Sequence, residues 1–203
     1  MPRLVALADT HGYHAKLNVP DGDVLIHAGD LTQRGTLPQL EAVADWLRAL
    51  PHRHKVIIAG NHDFALQRDA ANARALFHGL TFLEDELATV DGLRVWGSPW
   101  QPWFHDWAFN LRRGAAIDEK WKLIPAGVDV LVTHGPPHGY GDVVWSGERV
   151  GCEDLTRHLD RVKPRLHFFG HIHEDRGEWT RGETRIVNCS TSECELPCTV
   201  IDL

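Results

Sequence analysis

At five places the chain carries side chains that ligate divalent cations or move protons: Asp9-Thr10-His11, Gly29-Asp30, Gly60-Asn61-His62-Asp63, His134-Gly135 and Gly170-His171-Ile172-His173. Carboxylate, carboxamide and imidazole donors suit hard to borderline divalent ions. Taken singly, each stretch has an ordinary explanation. A His-x-His is commonly two solvated histidines, and Gly-Asn before Asp reads as a turn into a capped helix. What the five share is position. Each follows an apolar run, at residues 4–8, 24–28, 56–59, 128–133 and 166–169, the mark of a buried strand. Core packing has no use for Asn-His-Asp at a strand end, whereas ligands of α/β sheets bind outside the carboxyl ends of the strands. Five such ends in one chain imply one shared site.

The elements that must position these tips follow from periodicity. Thr36 with Gln39 forms a capping-box pair, and Leu37, Leu40, Val43, Ala44, Leu47 and Leu50 repeat at helical spacing until Pro51. A β-helix-β step of this kind predicts a parallel early sheet. A second helix is predicted from His62 to about Phe77, closed by Gly79. Short strands follow at 81–83, 87–90 and 93–96, the last two joined by an Asp91-Gly92 hairpin turn. Residues 98–113 read as a long loop whose aromatic content opposes disorder. A helix over 115–123, a Gly/Pro-rich loop over 135–147, and a helix over 152–162 that stops at Pro164 complete the middle of the chain. Strands at 178–180, 184–188 and 199–202 end it. Helices early and hairpins late predict an α/β fold with two mixed sheets packed as a sandwich, helices outside.

The 203 residues fit one domain, 1–203, and 43% hydrophobic with 24% charged residues is a globular composition. There is no 18-residue apolar stretch, so no membrane span is expected. The only apolar candidate for a signal peptide contains Asp9 and His11, so a cytoplasmic protein is expected. A net charge of −7 opposes a long nucleic acid as partner. It leaves room for a small anionic substrate, because bound metal ions invert the local field. Cys152, Cys189, Cys194 and Cys198 include no Cys-x-x-Cys pair and read as reduced packing residues.

In their order along the chain, the five motifs resemble the calcineurin-like metallophosphoesterases, and the resemblance spans Asp9 to His173. Ser98-Pro99-Trp100 with Pro102-Trp103-Phe104, Thr133-His134-Gly135-Pro136-Pro137 and Arg149-Val150-Gly151-Cys152 resemble a compact branch of metallophosphoesterase-domain proteins, also found in animal brain and associated with cyclic nucleotide phosphodiesterase activity. Some members of that branch lack the first histidine of Gly-His-x-His; His171 is present here. The resemblance implies a four-layer αββα fold and two divalent ions, manganese first, with iron, zinc or magnesium as alternatives. It implies that Asp9, His11, Asp30 and His173 hold one ion and Asp30, Asn61, His134 and His171 the other, Asp30 bridging. Two such ions clamp an in-line displacement, with a bridging hydroxide as nucleophile. His62, outside the ligand set, is then placed to protonate the leaving alkoxide, with Asp63 holding its ring. The expected substrate is a small phosphodiester such as a cyclic nucleotide. A phosphomonoesterase or protein phosphatase, and a nucleotide-binding regulator with weak catalysis, are the alternatives.

The other histidines divide by location. His14, His52, His54, His78, His158 and His167 read as surface or packing residues, while His105 and His138, in the two long loops, are candidates to line a substrate pocket. Trp46 and Trp179 read as packing residues. Trp100, Trp103 and Trp107 either form a base-stacking wall or hold their loop on the core. Arg112 and Arg113 read as a solvated pair that could meet phosphate. The oligomeric state is open.

Overall fold

The computed structural model describes residues 2–203. The first half runs β1 (Arg3–Leu7), β2 (Val24–Ala28), α1 (Leu37–Ala49), β3 (His54–Ile58), α2 (Phe64–Arg68), α3 (Ala70–Ala75) and β4 (Thr81–Phe82). The second runs β5 (Glu86–Val90), β6 (Leu93–Ser98), β7 (Gln101–Pro102), β8 (Asn110–Leu111), α4 (Ala115–Lys122), β9 (Val130–Thr133), α5 (Glu153–Val162), β10 (Leu166–Phe169), β11 (Gly177–Arg181), β12 (Thr184–Asn188) and β13 (Thr199–Asp202). The strands form a five-stranded sheet in the order β13-β1-β2-β3-β4 and a six-stranded sheet in the order β11-β12-β10-β9-β6-β5.

Side-chain alternation along each strand explains the layering. Inward residues Leu4, Ala6, Val24, Ile26, Val56 and Ile58 of the first sheet meet Val95, Val130, Val132, Leu166, Phe168 and Val187 of the second. The outward residues Val5, Leu7, Leu25 and Ile57 pack under Leu40, Val43, Ala44 and Leu47 of α1. On the far side Trp96, Leu131, Phe169 and Ile186 pack under Ile117 and Trp121 of α4 and Leu155, Leu159 and Val162 of α5. Strands covered on both faces are apolar at nearly every position, which is why they read as continuous runs. The result is the expected two mixed sheets with helices outside.

Both sheets have a parallel centre, β1-β2-β3 in one and β6-β9-β10 in the other. Parallel strands put their carboxyl ends on one rim. The rims meet at a seam where the Ala8 amide donates to the Cys189 carbonyl (3.1 Å) and the Thr191 amide to the Ala8 carbonyl (2.9 Å).

Two local readings need correction. The helix from 62 to 77 is two pieces, α2 and α3, separated by Asp69 at φ −136°, ψ 53°. The Asp69 amide still donates to Ala65 (2.8 Å) and its carbonyl accepts from Ala73 (3.0 Å), so the axis kinks and the backbone stays paired. The Asp69 carboxylate meanwhile accepts from Asn72 (3.0 Å), the local competition that makes Asp a poor mid-helix residue. The 98–113 stretch is not wholly irregular, because β7 and β8 pair in parallel. Asn110 Nδ2 then donates to the carbonyls of Phe104 (3.0 Å) and His105 (2.9 Å), satisfying a turn that has no strand partner. Finally, β4 adds to β3 in the first sheet, while β5 and β6 form the expected hairpin, with Asp91 and Gly92 both at positive φ.

Candidate metal centre

The five tips converge on the seam. Asp9 and His11 follow β1, Asp30 follows β2 and Asn61 follows β3. His134 follows β9, and His171 and His173 follow β10. Asp30 is central: its Oδ2 lies 3.4 Å from His134 Nε2, 3.7 Å from His11 Nε2 and 4.0 Å from His62 Nε2. His173 Nε2 lies 3.8 Å from Asp9 Oδ2 and 3.4 Å from His11 Nε2. Asn61 Oδ1 is 2.9 Å from His134 Nε2. Three trios, Asp9-His11-His173, His11-Asp30-His62 and Asp30-His134-His171, each hold their ligand atoms within 4.8 Å of one another. Asp30 belongs to two of them, as a shared carboxylate must.

This donor set fits two divalent ions. The Nε2 atoms of His11 and His173 face each other with a carboxylate beside them, an arrangement that asks for a cation between them. His134 sends Nδ1 to the Ala28 carbonyl at 3.0 Å, so its Nδ1–H donates there and Nε2 is left as a bare donor pointing inward. Burial alone would depress His134, but the Asp30 carboxylate overrides this and raises it to about 9. Asp30 pays the opposite cost of burial yet is held well below the ordinary carboxylate range by His134, His11 and His62. Burial with His134 nearby lowers His171 to about 4, so His171 is neutral and ready to ligate at neutral pH.

The backbone here is shaped for the ligands. Asp9, His11, Asp30 and His171 all sit at positive φ, 57°, 44°, 53° and 70°. That conformation disfavours residues with a Cβ and persists where surrounding structure imposes it, typically at functional sites. A Cβ on Gly60 would overlap the Asp30 amide and carboxylate, and one on Gly170 would overlap Ala8 and the Asp9 carboxylate. Both glycines are required by close approach.

Asp63 is not where the sequence reading put it. It does not touch the His62 ring. Its buried carboxylate accepts from the amides of Leu31 (3.1 Å), Thr32 (3.0 Å) and Gly60 (2.8 Å) and from the Thr32 hydroxyl (2.8 Å). It ties together the two loops that carry Asp30 and Asn61. His62 is held instead by Gln33, whose carbonyl lies 2.9 Å from Nδ1. The ring packs 4.1 Å from Trp107 and 4.5 Å from His11, centroid to centroid.

The loop residues separate. Trp107 lines the cavity over the ligands and Trp103 lines an adjoining hollow. Trp100 lines neither. Its Nε1 donates to Asp85 (2.9 Å), Lys120 lies over its ring, and it packs between the core layers, the loop-holding alternative. His105 packs edge-on against Phe104 (4.3 Å between centroids) and lines neither cavity. The His138 backbone pairs with Cys152 and Thr156, and its side chain lines neither cavity. Arg113 donates to the carbonyls of Gly151 and Val150 (2.5 Å each). All four cysteines are free thiols.

Sequence reasoning missed His27 and several cavity-lining residues, and read His167, a buried packing residue, without its role under Thr133. His27, inside β2, is fully buried, its Nε2 3.0 Å from the hydroxyl of Thr10, which stands between two ligands. His167 in β10 does the same to Thr133, next to His134, at 2.8 Å. In both, the threonine hydroxyl reaches on to a carbonyl, of Leu31 or of Gly135. Burial lowers both histidines to about 3. A histidine inside an otherwise apolar strand was the available signal. Phe104, Trp145, Glu174, Ser192 and Glu193 also line the metal cavity, brought there by tertiary contact alone.

Residues 2–175 match the model of a family described as calcineurin-like phosphoesterase. Human metallophosphoesterase domain-containing protein 1 is 42% identical over 230 aligned positions, covering 99% of this chain and 71% of that protein. A Caenorhabditis elegans UPF0046 protein is 38% identical, covering 92% of this chain and 55% of that one. Among solved structures, the Thermus thermophilus protein TT1561 superposes with a TM-score of 0.65 at 14% identity, covering 99% of this chain and 98% of that one. The sulfate thiohydrolase SoxB of a Thermus superposes at 0.56 with 15% identity, covering 94% of this chain and 52% of that one. At those identities the structural likeness is one of fold.

Proposed function

From the premise that this chain belongs to the calcineurin-like phosphoesterase family, we propose that it is a phosphodiesterase of small substrates, cyclic nucleotides among them. Metal-dependent phosphoester hydrolysis is the chemistry of the family, and the Asp/His clusters fit its two-ion centre. The observation that carries the choice of diester is the charge of the cavity wall. Among the described residues lining the metal cavity there is no Lys or Arg, while Glu174 and Glu193 stand on its rim. A phosphodiester brings one negative charge at neutral pH. A phosphomonoester brings nearly two (second pKa about 6), and these carboxylates penalise the second. An open groove lined by arginines, suited to a phosphoprotein, is not what this wall presents.

Two divalent ions held by Asp9, His11, Asp30, Asn61, His134, His171 and His173 would supply the nucleophile and neutralise phosphate charge. Manganese is the ion proposed, because a mixed carboxylate, carboxamide and imidazole set suits it. The rest is work for the chain. With the ions bound, Asn61, His134 and His171 would ligate as neutral side chains and so limit the negative charge facing the substrate. His62, its Nδ1–H anchored on the Gln33 carbonyl, presents Nε2 to the cavity and gives a proton to the departing oxygen. Trp107 covers the other face of that ring and restricts its access to water.

The test compares leaving groups. A ribose alkoxide needs a proton as it leaves, and a nitrophenolate needs little help. His62→Ala is expected to slow a cyclic nucleotide by about 10²–10⁴-fold and bis(4-nitrophenyl) phosphate far less, with two ions per chain retained. Equal losses on both substrates with the metals intact would show that His62 orients phosphate and another group is the acid.

A further inference from the structure

Beside the metal cavity, of about 390 Å³, lies a hollow of about 470 Å³. Phe104, Trp145, His171 and Glu174 line both, so the two spaces are continuous. Trp145 is 90% exposed, Trp103 58% and Phe104 51%. Large apolar side chains clustered at a cavity mouth mark a binding surface. Trp145 also stands on a braced support. Val144 and Glu148 pair backbone to backbone (3.0 Å), Ser146 donates to Glu148 (3.1 Å), Arg149 binds Asp142 (2.5 Å), and the Val143 amide binds Asp175 (2.9 Å). An indole is thus held out in solvent on a fixed turn.

Two asymmetries say what the hollow takes. The first is direction. His62 lines the metal cavity and not the hollow, and packs with Trp107 and His11. The hollow adjoins the metal cavity past His171 and Phe104, whose rings lie 6.4 Å apart, and His62 does not reach it. If the leaving oxygen faces His62, the other ester group faces Trp145. The second is charge. Glu148 and Glu174 line the hollow, and its cation, Arg113, is committed to two backbone carbonyls. A second phosphate has no partner there. Flat rings do, in Trp103, Phe104 and Trp145.

We infer that this hollow is the subsite for the ester group that stays on phosphorus, and that this group is a flat ring system carrying no further phosphate. The inference rests on the phosphodiesterase reading. In the reaction the P–O bond on the His62 side breaks and the leaving oxygen takes the His62 proton. A water-derived oxygen bonds to phosphorus, and the ring in the hollow remains on the monoester product. Trp145 is a specificity residue in this scheme.

Three diesters sharing a 4-nitrophenolate leaving group test it: the methyl, phenyl and thymidine 5′-esters. With the metal-loaded protein, the two ring-bearing esters should exceed the methyl ester in kcat/KM by about tenfold or more, the lower range for a base–aromatic stack. Trp145→Ala, a change at an exposed position that does not threaten folding, should bring all three to a common value through KM. A 3′-phosphate on the thymidine ester should weaken it, and Glu148→Gln should recover part of the loss. Equal loss on all three esters in Trp145→Ala would place the nitrophenyl group in the hollow and overturn the inference, as would no preference in the wild type. Calorimetric binding separates this from failure of the diester reading. Thymidine 5′-monophosphate should bind about tenfold tighter than methyl phosphate to the wild type and not to Trp145→Ala. If that holds while only monoesters are turned over, the hollow binds a flat ring but as the leaving group, so the diester reading falls and the assignment of the hollow to the retained group falls with it. If neither holds, both fall.

Discussion

Asp30 belongs to two of the three ligand clusters, with His134 and His11 within 3.7 Å of a single oxygen, and is the carboxylate proposed to bridge. Asp30→Asn keeps the shape, loses the charge and removes the bridge. Metal content by elemental analysis should fall below two ions per chain and turnover should fall with it. Retention of two ions would show that Asp30 does not bridge. Asp63 makes a different case, because its work is structural. Asp63→Ala strands three buried amides and a hydroxyl. At about 1–3 kcal/mol for each unsatisfied group, the loss should be on the order of 3 kcal/mol or more by denaturant unfolding. Asp63→Asn keeps one full acceptor and should lose clearly less. If the two variants have equal stability, those hydrogen bonds are not what Asp63 contributes.

At the scale of elements, the strands end in loops that are held from beneath. His27 supports Thr10 in one sheet and His167 supports Thr133 in the other, so the ligand loops rest on two buried, neutral histidines. Their pH signature follows from linkage. The unfolded chain protonates such a histidine below pH about 6.5, whereas burial keeps folded His167 neutral down to about 3. The stabilisation is therefore complete above pH 6.5. It is lost as pH falls from 6.5 towards 3, at up to about 1.4 kcal/mol per pH unit. His167→Gln should be less stable than wild type at pH 7 yet show a shallower decline between pH 6.5 and 5 in urea titrations of the chelated protein. Parallel declines would mean that His167 does not titrate differently in the two states.

Over the whole molecule, each proposed ion would draw ligands from both sheets: Asp9, His11 and Asp30 with His173, and Asp30 and Asn61 with His134 and His171. Without cations, the seam between the sheets gathers buried carboxylates and facing imidazoles. Metal binding should therefore close the sandwich as well as equip it for chemistry. At a free metal concentration 100 times Kd, binding to the folded state alone is worth about 2.7 kcal/mol. The melting temperature should rise on loading and fall on chelation, and Asp30→Asn should flatten both changes. A melting temperature indifferent to metal in the wild type would mean that the ions do not couple the two sheets.

The sequence by itself determined the strand tips. The runs over 4–8, 24–28, 56–59 and 166–169 are buried on both faces and so are apolar but for His27 and His167, which leaves the polar residues after them conspicuous. Residue type is local in the chain, and so Asp9, His11, Asp30, Asn61, His134, His171 and His173 could be named as candidate ligands before any contact was known. Tertiary structure decided what depends on contacts across the seam. Asp63 follows His62 directly, yet its carboxylate reaches residues 31 and 32, a choice made by the packing of two loops. Trp100 and Trp107 belong to one loop, but one is drawn into the core and the other faces His62, because β7 pairs with β8 and folds the residues between them outward. Trp145 sits in a glycine-rich loop with no motif of its own. It becomes part of the site only because β9 and β10 are neighbours in the sheet, which brings the loops that follow them to one rim.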